Sequence, residues 1–308
     1  SRIEQYLPPP TVRGDHPTPI RCQSPVADTQ WLRYFDHNGW PHVLPLADGG
    51  ATLPPLLPQR TYRLQWLSAI DAPPMAETAL YVEGNLRMIA LEAMHNVRDC
   101  GGWTAMRGKR VRHGLLFRGG EIHHPQRGLV ATPNDIRQLL DLGIRAELDL
   151  RGNVESGYLT ASPLGDEVRY YRIAGGGIYP YVDMIMRFPD DIREVFHTVL
   201  GNLRDQRPTY IHCHLGADRT GTVMMLLNGI LGVSESDLAK DFEISSLSSI
   251  GLRTRNDRPE DPTVQWATMM ARVNAFPGDT LLDRLEYFFL QTGITRAEIE
   301  EFRALMLE

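Results

Sequence analysis

The chain has 308 residues, enough for about two domains, and its 42 % apolar and 23 % charged residues exclude a chain disordered throughout. A net charge of −6 argues against a basic nucleic-acid footprint, and no run approaches the roughly 18 unbroken apolar residues of a membrane span. Three cysteines, Cys22, Cys100 and Cys213, exclude a disulfide-dense scaffold and a four-cysteine zinc site, and at least one lies outside any intramolecular disulfide.

The first residues lead into Pro8-Pro9-Pro10 with no signal-peptide pattern. A processed secretion signal would leave the same beginning, so the compartment stays open. Of the 22 prolines, 13 lie at or before Pro74. Between them stand short strand-like runs at 31–35, 61–68 and 79–83. Prolines between short strands predict a smaller β-sandwich-like domain over residues 1–85. A proline-rich arm lying over the main domain is the competing reading.

From residue 86 the pattern changes. Thr132 caps a helix opening at Pro133, with Ile136, Leu139 and Leu140 on its apolar face and Gly143 beyond its end. A strand comes next at 144–150, then a helix over 191–205 and a strand at 209–213. After a loop comes an apolar helix over 220–231. Helices then open at Ser234, cover 263–274 and 280–291, and end with one capped by Thr295 with Glu298 three residues on. This alternation predicts an α/β domain over residues 86–308 with a partly parallel sheet.

The chemistry concentrates in Tyr210-Ile211-His212-Cys213-His214-Leu215-Gly216-Ala217-Asp218-Arg219-Thr220-Gly221-Thr222. A cysteine ends a strand, five residues turn, and an arginine opens a helix. The N–H groups of His214, Leu215, Gly216, Ala217, Asp218 and Arg219, with the helix N-terminus, are placed to bind a tetrahedral oxyanion. Arg219 supplies a planar fork for two of its oxygens. Cys213 lies beneath as a stabilised thiolate, a nucleophile for phosphoryl transfer. Asp218 is the candidate general acid for the departing oxygen, with a loop-stabilising carboxylate as the alternative. Thr220 is placed to donate to the leaving thiolate, and His212 to orient the loop. His212, Cys213 and His214 do not read as a metal set, because neighbouring residues of a strand point to opposite faces. No metal and no cofactor are expected.

Cys213 to Arg219 matches the Cys-x5-Arg signature of the cysteine-dependent phosphatases. The finer pattern resembles a bacterial branch of atypical protein-tyrosine phosphatases whose phosphate loop carries its own aspartate. Asn96-Val97-Arg98-Asp99-Cys100-Gly101-Gly102 resembles that branch's Asn-x-Arg-Asp-x-Gly-Gly box. Gly114-Leu115-Leu116-Phe117-Arg118-Gly119-Gly120 is similar to the family's next stretch, and Asp149-Leu150-Arg151 with Glu155 resembles its Asp-Leu-Arg-x-x-x-Glu. Over about residues 88–305 the resemblance implies a mainly parallel central sheet flanked by helices. It also implies metal-free hydrolysis, and the expected function is that of a protein-tyrosine or dual-specificity phosphatase working through a phosphocysteine. Some relatives carry a β-sandwich in front.

Relatives credited with phosphoinositide activity often carry lysine where this chain has Ala217, which weakens the case for a phosphoinositide or inositol phosphate substrate. Arg98, Arg118 or Arg151 could supply charge instead. A phosphate-reading binding module is the reading from another class. Asp99 and Arg98 are read either as lining the cleft or as pinning a turn, and Asp149 and Arg151 as neighbouring the cleft or as a salt-bridged scaffold. Asp190 and Asp191 are rivals for the acid and also read as helix-start residues. Cys100 is read as a redox partner of Cys213 or as unconnected. Tyr179, Tyr181, Met184 and Met186, after Gly175-Gly176-Gly177, are read as a substrate wall or lid, or as a plain packed segment. A reactive thiolate favours a reducing interior, whereas a sandwich-like front domain is common on exported bacterial proteins.

Overall fold

Two compact units make up the chain in the computed structural model, one ending at Ala90 and the other running from Leu91 to Glu308. The structure describes residues 20–173, 179–248, 250–257 and 263–308. Pro8, Pro9 and Pro10 and Gly175, Gly176 and Gly177 lie outside the described residues.

The first unit holds β1 (Arg21–Gln23), β2 (Trp31–Phe35), β3 (Pro41–Pro45), β4 (Gly50–Thr52), β5 (Arg60–Leu67) and β6 (Ala76–Val82). Antiparallel pairing gives a four-stranded sheet in the order β3-β2-β5-β6, and β1 pairs with β4 separately. Period-two alternation sends Leu32 and Tyr34 of β2 and Tyr62, Leu64 and Trp66 of β5 into one core, which Ala51 and Leu53 complete. Pro41 and Pro45 sit at the two ends of the edge strand β3, where a missing N–H costs least.

The second unit begins with β7 (Arg98–Asp99), β8 (Leu116–Gly119), β9 (His123–His124) and β10 (Gly128–Leu129). Next come α1 (Pro133–Asp141), β11 (Ala146–Asp149), β12 (Arg169–Arg172), α2 (Val182–Arg187), α3 (Pro189–Arg204) and β13 (Thr209–His212). It ends with α4 (Asp218–Ile230), α5 (Glu235–Ile244), α6 (Trp266–Asn274), α7 (Leu281–Gln291) and α8 (Arg296–Met306). Its main sheet has the order β12-β11-β13-β8-β7. Every neighbouring pair is parallel except β7 with β8. β13 is therefore the central strand, wholly buried, and the loop at its carboxyl end lies where α/β sheets bind ligands.

The expected strands at 31–35, 61–68, 79–83, 144–150 and 209–213 correspond to β2, β5, β6, β11 and β13, with ends shifted by up to three residues. The expected helices correspond to α1, α3, α4, α5, α6, α7 and α8. Thr132, Thr280 and Thr295 each close a capping box with the acidic residue three positions on. α4 is apolar nearly all round because it is buried between neighbours, packing on α5 and α7. β8, β12 and α2 were not legible. β8 is short and buries an arginine, and β12 is a charged, half-exposed edge strand, so neither shows a clean period. Among the described residues no helix is long and apolar enough to cross a membrane.

Two arginines of this sheet are fully buried. Arg98 Nε donates to Asp241 Oδ1 (3.1 Å) and Arg118 Nη1 to Asp241 Oδ2 (2.5 Å). Burial raises the Asp241 carboxyl, but the two guanidiniums outweigh it and hold it below the ordinary carboxylate range. That contribution to stability is present above the ordinary carboxylate value and is lost as pH falls through the depressed one. Asp241→Ala leaves two guanidiniums buried without their carboxylate. A loss of about 3–5 kcal/mol in urea unfolding is expected, and a change under about 1 kcal/mol would show that the pairing carries no stability.

Candidate active site

β13 hands the chain to the loop at His212, and α4 takes it up at Asp218. Between them the backbone carbonyls face away from the strand axis and are held there. His214 O accepts from the Glu121 amide (3.0 Å). Leu215 O and Gly216 O accept from Asn96 Nδ2 (3.3 and 3.1 Å). Arg118 Nη2 donates to Gly216 O (2.8 Å) and Ala217 O (3.4 Å). A trans peptide that turns its carbonyl outward turns the next N–H inward. Among the described residues, the amides of residues 214–219 donate to no protein acceptor, so they are open to an anion. Gly216 has φ +67°, and a Cβ there would stand 2.1 Å from Gly119 O, so no side chain fits.

Cys213 is buried. Burial pushes its thiol up, but the Arg219 charge together with the hydroxyl and amide of Thr220 holds it below the ordinary thiol value. The Thr220 hydroxyl is buried and has no other partner among the described residues. Arg219 is clamped by Glu155, Nη1 to Oε2 at 2.7 Å and Nη2 to Oε1 at 2.9 Å, which fixes the plane of its fork. Beneath the loop, His212 joins Glu147 Oε1 through Nε2 (2.9 Å) and the Cys213 carbonyl through Nδ1 (3.1 Å). Burial alone would lower the imidazole, yet Asp149 and Glu147 raise it above its ordinary value. It therefore favours the cation, which donates through both nitrogens.

Asp218, one residue before Arg219, is gripped from two distant segments. Arg253 donates Nε to Oδ1 (2.8 Å) and Nη2 to Oδ2 (3.0 Å), and Tyr181 donates its hydroxyl to Oδ1 (2.5 Å). Thr220, Arg219 and Asp218 thus share the first turn of α4 above Cys213. The sulfur, the open amides and the guanidinium together have the chemistry to bind a tetrahedral oxyanion beside a thiol.

Other candidates have different partners. Asp99 accepts from the amides of Gly101 (2.9 Å) and Gly114 (2.8 Å), so it pins a turn. Arg98 and Arg118 are spent on Asp241, and Arg151 on Asp149 (2.7 Å) and Glu121 (2.7 Å). His214 Nδ1 pairs with Glu121 Oε1 (2.9 Å). Asp190 and Asp191 lie in the first turn of α3, where Asp190 meets Arg193 (2.9 Å). Cys100 and Cys213 are both free thiols; Cys100 Sγ lies 3.7 Å from Met224 Sδ, and burial raises its thiol well above the ordinary value. Tyr181 and Met184 are buried, whereas Tyr179 and Met186 are exposed.

Asp241, Glu147 and Arg253 gained no role from sequence reading, and Tyr181 none toward Asp218, because each acts through a partner far away in the chain. Their own segments carry no local signal for these pairings: Asp241 lies on a largely polar helix. Two groups bring ligand-type atoms within 4.8 Å of one another: Glu121, His124 and His214, and Glu147, Asp149 and His212. In both, Arg151 already donates to a carboxylate of the group, Glu121 Oε2 (2.7 Å) in the first and Asp149 (2.7 Å to Oδ2) in the second.

A model of the tyrosine phosphatase family matches residues 89–308. A Cupriavidus necator protein provisionally named a tyrosine-protein phosphatase is 28 % identical over 196 residues, covering 57 % of this chain and 69 % of that protein. The crystal structure of P. aeruginosa TpbA aligns at 12 % identity and TM-score 0.37, over 60 % of this chain and 90 % of TpbA. That of the human tyrosine phosphatase-like serine/threonine/tyrosine-interacting protein aligns at 14 % and 0.34, over 52 % and 92 %.

The depressed thiol is open to measurement. The rate of Cys213 alkylation by iodoacetamide, measured against pH, should have its inflection below that of a free cysteine. Thr220→Val removes a donor to the thiolate and should move the inflection upward. An unmoved inflection would show that the hydroxyl does not stabilise the sulfur anion.

Proposed function

The chain belongs to the tyrosine phosphatase family, and from that premise we propose that this phosphatase works through Cys213, Asp218 and Arg219 on phosphotyrosine in proteins. Residues 86–308 carry the chemistry in this reading. The single observation behind it is the buried Cys213 at the end of the central strand, followed by a run of amides with no protein acceptor among the described residues and by Arg219, held in place by Glu155.

In the first step Cys213 Sγ attacks phosphorus and the P–O ester bond breaks, its electron pair staying on the departing oxygen. Asp218 gives that oxygen a proton. The three remaining phosphoryl oxygens take hydrogen bonds from the amides of residues 214–219 and from Arg219, whose charge opposes the negative charge that builds up. In the second step water attacks phosphorus, the S–P bond breaks, and its electron pair returns to a thiolate stabilised by Thr220. Asp218, now a carboxylate, takes the water proton. No metal is needed, since thiolate, amides and guanidinium supply nucleophile and charge stabilisation together.

The phosphoinositide alternative gains no support from Arg98, Arg118 and Arg151, whose charges are committed to buried carboxylates. The binding-module alternative has to explain why a thiol is held below its ordinary value in a buried place where desolvation opposes ionisation.

Cys213→Ser should lower turnover of a phosphotyrosine peptide by about ten-thousand-fold while leaving its affinity within about threefold. Wild-type turnover in that variant would exclude the mechanism. A panel of phosphotyrosine peptide, phosphoserine peptide and phosphoinositide should rank the first highest by kcat/KM. The reverse order would favour the lipid, and no release from any of them would favour a binding module.

A further inference from the structure

Asp218 is short, and one edge of its carboxyl is open: the side chain is 25 % exposed. A free aspartate at a helix start would rotate about two side-chain torsions. Here two long-range partners remove that freedom, and each is itself anchored. Arg253 lies beyond α5, where its amide donates to Ser246 Oγ (2.7 Å) and its carbonyl accepts from the same hydroxyl (2.9 Å). Tyr181 precedes α2 at φ +59° and ψ −130°, a costly backbone conformation for a residue with a Cβ. Its amide donates to Thr222 Oγ1 (3.0 Å), whose hydroxyl donates to the Asp218 carbonyl (2.9 Å). Its ring meets Phe242 edge-on. Two hydrogen bonds of this strained residue lead to Asp218, one to its carboxylate and one, through Thr222, to its backbone carbonyl, which points to a purpose at Asp218.

The two oxygens are also unequal. Among the described residues Oδ1 accepts two hydrogens, from Arg253 Nε and Tyr181, and Oδ2 only one, from Arg253 Nη2. A proton arriving on the carboxyl displaces less at Oδ2. We infer that Tyr181 and Arg253 are positioning residues for proton transfer, and that Oδ2 of Asp218 is the oxygen that carries the proton to the ester. The inference rests on Asp218 as general acid under the proposed function. When the P–O bond breaks, the proton moves from Oδ2 to the departing oxygen, and the carboxylate left behind regains its third donor.

The test compares phenyl phosphate, whose departing oxygen needs a proton, with dinitrophenyl phosphate, whose departing oxygen does not. Tyr181→Phe and Arg253→Met should each lower kcat on phenyl phosphate by about tenfold or more and on dinitrophenyl phosphate by less than about threefold, with KM unchanged. Arg253→Lys should recover part of the loss. In an Asp218→Asn background, Arg253→Met should have no further effect. Tyr181→Phe keeps the ring and its packing, so it decides the matter if Arg253→Met does not fold. Equal slowing of both esters in these variants, or a full further loss in the double variant, overturns the inference. If Asp218→Asn itself slows both esters equally, the acid assignment falls first and this inference with it. If Asp218→Asn is selective and Tyr181→Phe and Arg253→Met are not, only this inference falls.

Discussion

The outward turn of four loop carbonyls is the constraint on which the rest of this site depends. Carbonyl groups are obligatory acceptors, and a buried turn has to satisfy them somewhere. Asn96, Arg118 and the Glu121 amide take them on the side away from Cys213. The amides of residues 214–219 are thereby left without a protein acceptor among the described residues, open to an anion beside Cys213 and Arg219. Arg118 can do this only because Asp241 compensates its charge, and Asn96 only because Arg98 Nη1 holds its Oδ1 (2.6 Å). The cradle is thus the visible face of a buried polar network, high in cost if one member is lost.

The electrostatics of the sulfur depend on that arrangement. A buried thiol ought to stay protonated, since the interior disfavours an isolated anion. Arg219 and Thr220 oppose that effect and hold the thiol below its ordinary value, and Glu155 pairs with Arg219 at 2.7 Å. Below, the His212 cation is matched by Glu147, whose other oxygen accepts from Ser162 Oγ (2.5 Å). Each charge near the nucleophile has a counter-charge one layer further out. The positions of the loop therefore do not depend on the ligand's own charge to hold them.

This layering also accounts for the sequence boxes on either side of the loop. Arg98 and Arg118 look like substrate-binding cations when read in one dimension. In three dimensions both are buried, because β8 lies beside β13, β7 lies beside β8, and Arg98 and Arg118 meet Asp241 of α5. Ala217 is likewise buried, so the residue before Asp218 is a packing position as well as a place where a cation is absent.

The strand, turn and helix around Cys213, and the cysteine, aspartate and arginine within them, were legible because they are contiguous. Spacing along a strand end and a first helical turn fixes which groups share a site, whatever the rest of the chain does. The caps at Thr132 and Thr295 were legible for the same reason: their hydrogen bonds close within one turn. Direction and partnership were decided only by the tertiary structure. It turned Asp99 to a turn, Arg118 to a carbonyl, and Asp218 to a tyrosine 37 residues before it and an arginine 35 residues after it. No local pattern encodes such pairs, because they arise where separate segments of the sheet and its helices are brought together by burial of apolar surface, a force that has no direction of its own.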